Sequence, residues 1–323
     1  MAIELHELLA AENDDNRRLD RVLRKTLDGL ALSAIHRLLR TGKVRVNGKK
    51  AGGDFRVRAG DTIAVEGCEN TSKPPVRDKK KAGTGLLVLY EGGGILVINK
   101  PSGTVVHGGN GLDSLVQSYL EAGLPPSLSF RPGPLHRLDV PTSGVLVFST
   151  SLNGAREFTR LLKEGKLRKY YLAVVQGECN RSETWEDLLV RDRKKRTSAV
   201  VPDGESPGNG KACAALTLAR PLMTAGGFSL LLLEIRSGRT HQIRSQAASR
   251  GHPLLGDTKY GGTRCGGPLL HAVLLVFPGE AEAPGFPPYC YAPPPPRFLE
   301  TVKRLFRCSE DELGDMLAGL RQE

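Results

Sequence analysis

The sequence predicts an α+β protein in two parts. The larger part is a domain on a mixed, mainly antiparallel sheet; the smaller is an N-terminal module of two helices and a hairpin. Three observations predict this. After residue 86, strand-like apolar runs outnumber helical patterns without regular strand–helix alternation, which disfavours a doubly wound sheet. Before residue 67, two stretches of helical period precede an alternating basic segment with an Asn-Gly turn signal. Between the two parts the composition turns to Ser-Lys-Pro-Pro and Asp-Lys-Lys-Lys. The expected boundaries are an extension over 1–16, the module over 17–66, a basic linker over 67–85, the large domain over 86–300 and a C-terminal helix over 301–323. A chain of 323 residues suits two domains at about 150 residues each.

Within the module, Leu19, Val22, Leu23 and Leu27 recur at helical spacing, with Arg18, Arg21, Arg24 and Lys25 between them. A second helix carries Ile35, Leu38 and Leu39 inward and Arg37 and Arg40 outward. Ser33 is its expected cap and Gly42 its stop. Lys43, Arg45 and Lys49 then alternate with Val44 and Val46 around the Asn47-Gly48 turn, and residues 61–65 supply a closing strand. Residues 67–84 read as a flexible tether that would raise the effective concentration of the module.

In the large domain, residues 95–98, 142–148, 171–175, 229–235 and 272–277 read as strands. Leu152, Ala155, Phe158, Leu161 and Leu162 fit an amphipathic helix. Residues 191–211 read as a polar loop. Residues 293–296 are four prolines, a stop before a final helix whose pattern begins near 297.

Composition narrows the function classes. Hydrophobic content of 39% and charged content of 25% fit a soluble globular chain. No apolar run reaches the roughly 18 residues of a membrane span, so no membrane partner is expected. The first residues carry acids rather than a basic-then-apolar leader. Six cysteines lie scattered without a Cys-x-x-Cys, against a zinc ribbon or disulfide scaffold and in keeping with a cytoplasmic location. The formal charge is +11, and residues 17–58 hold 13 Lys or Arg against three Asp, a net of +10. A solvated basic face is the ordinary alternative. Here the charge is arranged on two helices and a hairpin, which suits a polyanion such as RNA.

The Ser-x-x-x-x-Leu-Leu-Arg-x-Gly helix and the Val-x-Val-Asn-Gly hairpin make residues 17–66 similar to the αL RNA-binding domain first recognised in a small-subunit ribosomal protein (S-four). The resemblance implies RNA contact through Arg21, Arg37, Arg40, Lys43, Arg45 and Lys49.

Three segments of the large domain are polar where their surroundings are apolar: His136-Arg137-Leu138-Asp139-Val140-Pro141-Thr142-Ser143-Gly144, Lys169-Tyr170-Tyr171-Leu172, and Gly238-Arg239-Thr240-His241-Gln242-Ile243-Arg244. Each alone has an ordinary explanation: a surface ion pair, an amphipathic strand tyrosine, a helix entry capped by Thr240. Together, in this order, they resemble the RluA family of pseudouridine synthases, from about Leu86 to Leu299. Asn99-Lys100-Pro101, Val106-His107-Gly108-Gly109, Gly256-Asp257, Tyr260-Gly261 and Leu270-His271-Ala272 extend the match. After Arg244, Ser245-Gln246 stand where the family pattern is apolar, and Gly92-Gly93-Gly94 replace an acidic turn.

The resemblance implies roles. Asp139 takes the catalytic aspartate position, Arg137 fills the gap left by a flipped uridine, Tyr171 stacks on the base, and Arg244 pairs with the aspartate. Of the doublet Tyr170-Tyr171, the following Leu172-Ala173-Val174 selects Tyr171. The reaction breaks a nitrogen–carbon glycosidic bond, turns the uracil and rejoins it through carbon, so neither a metal nor a small-molecule cofactor is expected. Burial alone disfavours a charged carboxylate, and a guanidinium opposes that effect. Unstacking the base costs a few kcal/mol, which gives Arg137 its use. Attack on the sugar, attack on the base and abstraction of a sugar proton all fit Asp139.

Other chemistries fit less well. A glycosidase needs two carboxylates, and the main motif offers one. The phosphate-binding Gly-x-x-x-x-Gly-Lys-Ser/Thr and the cysteine pair of a zinc deaminase are missing from the sequence. The expected function is therefore uridine isomerisation in large-subunit ribosomal RNA by a monomer. The alternatives are the same chemistry on transfer RNA, or a non-catalytic RNA-binding or ribosome-assembly protein.

Overall fold

The computed structural model describes residues 5–27, 29–67, 85–108, 111–121, 123–124, 126–192, 194–202, 204–205 and 211–321. Gly109 and nearly all of the expected tether lie outside them.

The N-terminal module comprises β1 (Leu5–Leu9), β2 (Arg17–Arg18), α1 (Leu19–Thr26), α2 (Leu32–Arg40), β3 (Val44–Val46), β4 (Lys49–Lys50), β5 (Arg56–Val57) and β6 (Thr62–Glu66). Leu19, Val22, Leu23, Leu27, Ile35, Leu38 and Leu39 are all buried, as their spacing predicts. Asn47 and Gly48 both take positive φ, the geometry of a tight hairpin turn, between the paired β3 and β4. Two expectations change. The sheet has the order β1-β6-β3-β4, so residues 5–9 belong to the module rather than to an extension ending at 16. The cap of α2 is Ala31 rather than Ser33, because the helix begins at Leu32.

The large domain follows with β7 (Val88–Gly92), β8 (Ile95–Lys100), α3 (Leu112–Leu120), β9 (Ser143–Ser149), α4 (Leu152–Lys163), β10 (Arg168–Gln176), β11 (Glu183–Asp192), β12 (Thr197–Val200), β13 (Ala212–Ala225), β14 (Phe228–Ile235), α5 (Gln242–Ser249), β15 (Leu270–Val276), β16 (Tyr289–Tyr291), α6 (Pro296–Phe306) and α7 (Glu310–Ala318). Ten strands form one sheet in the order β12-β11-β13-β14-β10-β15-β9-β8-β7, with β16 added to β15. Among the described residues, every pairing in it is antiparallel except β9 with β15. The mixed, mainly antiparallel sheet is thus present as predicted. Within the expected 191–211 loop the chain instead forms β12, paired to β11. The expected C-terminal helix is two: Arg307 in the left-handed region ends α6, and Ser309 with Glu312 closes a capping box that starts α7. The boundary expected at 300 falls inside α6. No helix among the described residues is long and apolar enough to cross a membrane.

Strand alternation divides the core. Tyr171, Ala173 and Val175 pack with Leu231, Leu233 and the helices α3 and α5. Tyr170, Leu172 and Val174 face the other way, under α6 and α7. On that second face, α4 covers Ile95, Val97, Val145 and Val147 through Phe158 and Leu161. The Gly92-Gly93-Gly94 turn has a packing reason: a Cβ on Gly94 would lie 2.2 Å from Ser151 Oγ and 2.9 Å from the Gly154 backbone, so α4 could not sit against it.

Candidate active site

Asp139 lies in the turn that enters β9, and three anchors hold that turn. His136 Nε2 accepts from the Val147 N–H of β9 (3.1 Å), and its ring stacks on Phe158 of α4. Burial, reinforced by the Lys169 charge, pushes the imidazole down to about 3, so it stays the neutral acceptor this bond requires. Lys100, at the end of β8, has no solvent exposure. Its Nζ donates to the carbonyls of Val140 (2.9 Å), Thr142 (2.8 Å) and Pro101 (3.0 Å), the first two of which follow Asp139 in the turn. Burial pulls Lys100 down to about 8 against the opposing pull of the Asp139 charge. Lastly, Thr142 N–H donates to Asp139 C=O (3.0 Å), and Ser143 Oγ bonds His271 Nδ1 (2.9 Å) on β15. Gly144 closes the turn at φ +115°, and a Cβ there would sit 2.1 Å from Ala272 O. Only glycine lets β9 pass β15 so closely.

This turn forms one wall of a cavity of about 560 Å³, within the usual range for a small-molecule-sized site. Asp139, Tyr171, Arg244 and Arg137 all line it, so the structure brings the three separate sequence segments together. Tyr171 is 7% exposed; burial, and then the Asp139 charge, hold its phenol well above the ordinary tyrosine value, hence protonated. Of the doublet, Tyr171 lines the cavity, while Tyr170 faces the opposite side of the sheet. Arg137 is exposed at the cavity mouth. Lys169 lines the wall with its ammonium held below the usual lysine range by burial.

Arg244, on α5, has a different principal partner from the expected one. Its Nε and Nη2 make a bidentate pair with Asp257 at 2.6 and 2.7 Å, and Nη1 is left facing Asp139 Oδ2 at 3.6 Å. The guanidinium therefore bridges two carboxylates, with Asp257 setting its orientation. Its ring-face neighbour is Tyr260, 5.0 Å from the guanidinium carbon to the ring centroid. His241 Nε2 also faces Asp139 Oδ2, at 3.7 Å. Burial keeps this imidazole below its usual value, with Arg244 and Lys259 adding to the effect and Asp139 and Asp257 opposing it. Tyr260 OH accepts from Ser198 N–H and bonds His241 Nδ1, both at 2.8 Å. In the tautomer where Tyr260 donates, His241 Nε2–H points at Asp139.

The entry to α5 corrects one expectation. His241, at φ 54°, is the cap, and Thr240 instead accepts Ser198 Oγ–H at its carbonyl (2.7 Å). The Arg239 N–H goes to the Gln242 side chain at 3.0 Å. The polar Ser245-Gln246 step also finds its reason. Gln246 is fully buried, accepts from Thr217 Oγ1 (2.7 Å) and donates to Asp187 and to the Trp185 carbonyl. It thereby ties α5 to β11 and β13. Lys100, Asp257 and Tyr260 lay in the quoted motifs without a role; their partners are distant in sequence, and no local pattern announces them.

In the module, Arg21, Arg37, Arg40, Lys43, Arg45 and Lys49 are exposed. Arg45 reaches Glu66 at 3.8 Å, a solvent-exposed pair of little energetic weight.

Residues 94–249 match the family model described as RNA pseudouridylate synthase. A ribosomal large subunit pseudouridine synthase C of Escherichia coli strain K12 is 33% identical over 299 residues, covering 84% of this chain and 88% of the relative. This chain belongs to the RluA-type pseudouridine synthase family. The Vibrio cholerae protein of the same name is 33% identical over 263 residues, covering 78% of this chain and 79% of the relative. Among solved structures, Human RNA Pseudouridylate Synthase Domain Containing 1 shares the fold, with a TM-score of 0.56 at 24% identity over 74% of this chain and 97% of that one. As a member of this family the chain is an RNA pseudouridine synthase. The cavity built on Asp139 lies within the residues the family model matches, apart from the parts contributed after residue 249.

Proposed function

We propose that this synthase isomerises uridines in large-subunit ribosomal RNA, with Asp139 as the working carboxylate. The observation that carries the site assignment is the placement of Asp139. It is the carboxylate lining the cavity, faced by Arg244 at 3.6 Å and His241 at 3.7 Å, on a turn held by buried Lys100. The ribosomal substrate is supported by the names of the relatives and by the exposed basic module.

On this reading, Arg137 enters the stack as the uridine flips, which lowers the cost of leaving a hole. Tyr171, kept protonated, packs its ring on the base. Arg244, oriented by Asp257, opposes the Asp139 charge, and His241 presents a donor to the same oxygen. Arg21, Arg37, Arg40, Lys43, Arg45 and Lys49 hold RNA phosphates, so affinity falls with salt. The RNA-binding module spans residues 5–67 and the catalytic domain follows; the enzyme acts as a monomer in the cytoplasm.

Two measurements test this. Purified Asp139→Ala is expected to bind RNA as the parent does and to form no pseudouridine; residual turnover would remove Asp139 from the role. Mapping pseudouridines in total RNA with and without the gene should show a site lost from large-subunit ribosomal RNA. Loss confined to transfer RNA would replace the substrate, and no loss would leave the binding role alone.

A further inference from the structure

The contact between the module and the catalytic domain is a built one. Asp14 sits in a short 3-10 turn between β1 and β2 and has no solvent exposure. Its carboxylate accepts four bonds from across the interface, from Ser127 Oγ (2.8 Å), Leu128 N (2.9 Å), Ser129 N (3.0 Å) and Ser129 Oγ (2.7 Å) of the catalytic domain, and a fifth from Ala11 N (3.2 Å) of its own turn. Burial works against its charge; the Leu128 amide and the serine hydroxyls outweigh burial and hold the carboxyl below its ordinary value. Thr26 Oγ1, at the end of α1, donates to the Leu128 carbonyl (3.1 Å), and the Leu128 side chain packs on the module core.

Two routes lead from this contact to the active site. Residues 127–129 run directly into the 133–139 segment that carries His136 and Asp139. The second route is α4. Its first N–H, at Leu152, is taken by Asn13 Oδ1 (2.8 Å), and Arg156 Nη2 donates to the Asp15 carbonyl (2.9 Å). At its other end, Leu162 and Lys163 line the cavity. A 12-residue helix spans about 18 Å, so one rigid rod joins the module turn to the cavity wall.

We infer that Asp14 is a positioning residue, a latch that fixes the basic module on the catalytic domain so that one rigid surface selects which uridine reaches Asp139. This rests on the reading of the module as an RNA-binding element. A latched module presents its phosphate contacts already arranged, whereas a tethered one must be ordered at each encounter. An interface of charge-assisted bonds to a buried carboxylate is strong enough to matter, because each such bond is comparable to a tenfold change in an equilibrium.

The test compares Asp14→Ala with the parent on a long ribosomal RNA fragment and on a short stem-loop holding only the target uridine. On the fragment, KM is expected to rise about tenfold with kcat within about twofold, and additional uridines should be modified. On the stem-loop, both constants should stay near those of the parent. Hydrogen exchange at the Leu128 and Ser129 amides should accelerate, while Ile63 in β6 keeps its protection. Opened amides with unchanged KM and an unchanged target set would overturn the latch. If Ile63 also loses protection, the module has unfolded, and the Ser127→Ala/Ser129→Ala pair, which leaves the module intact, decides by the same readouts. Lys43→Glu/Arg45→Glu separates the two readings. A raised KM there beside an unchanged Asp14→Ala overturns the latch alone. An unchanged KM in both overturns RNA binding by the module, and the latch with it.

Discussion

The two parts of this protein use charge in opposite ways. In the module, Arg37, Arg40, Lys43 and Lys49 stand on the surface of one helix and a hairpin, and their placement needs little more than helical period and strand alternation. In the catalytic domain, the working charges are buried and shared. Lys100 serves three carbonyls, and Arg244 serves two carboxylates. Surface charges facing phosphates act nearly independently and fade with salt. Buried charges act as units, where removing one member strands the others. The module should therefore degrade gradually under mutation, and the site abruptly.

The sharpest way to break that contrast is Asp257→Ala. It leaves Arg244 without its bidentate partner at a position only 6% exposed. We expect a loss of about 3–5 kcal/mol in urea unfolding and no measurable isomerisation. A mild loss would mean that a buried site charge is as dispensable as a surface one. Next in size, Lys100→Met should lower kcat by about a hundredfold through misplacement of the Asp139 turn, with little change in KM for RNA. Steady-state kinetics would show it.

Lys100 also predicts a pH effect with two signs. Its folded-state value near 8 lies below the ordinary lysine value of 10.5, so the unfolded chain binds more protons between these limits. The Lys100 contribution to stability therefore rises as pH increases through that window. Activity should move the other way: above about 8 the ammonium loses a proton, with three carbonyls to satisfy. A kcat that falls above pH 8 while urea stability from this group does not is the expected pair of results, and the kcat limb should vanish in the residual activity of Lys100→Met. Smallest of all, Lys43→Gln in the module should raise KM about two- to threefold and reduce the salt slope of RNA binding by about one. A collapse of activity there would erase the contrast.

What the sequence shows and what it hides divides along the same line. The inward stripe of α1 and α2, the Asn47-Gly48 turn and the α4 stripe all rest on local pattern, and local pattern is written in consecutive residues; the choice of Tyr171 over Tyr170 rests on the family resemblance. Lys100 reads only as the end of a strand, because two of its carbonyl partners lie 40 and 42 residues away. Asp257 reads as part of a Gly-Asp turn, because its partner is a helix away. The misplaced caps have separate causes: α2 starts at Leu32, one residue before Ser33, and the left-handed turn at His241 takes the cap position of α5 from Thr240. The docking of the module through Asp14 left no local signal, since the residues it joins are more than a hundred positions apart.

The position of β15 carries a consequence for how the enzyme comes into being. Strands β7 to β9 form one antiparallel unit and β10 to β14 another, each contiguous in the chain and able to assemble as it is made. Asp139 belongs with the first unit; Tyr171 and Arg244 belong with the second. They are joined only when β15, synthesised near the end, slides between β10 and β9 past Gly144. A nascent chain that has already produced every residue lining the cavity up to Arg244 still holds two half-sites. This strand order predicts that competence arrives late, with the emergence of residues 270–276, and that a chain stalled before them on the ribosome forms no pseudouridine.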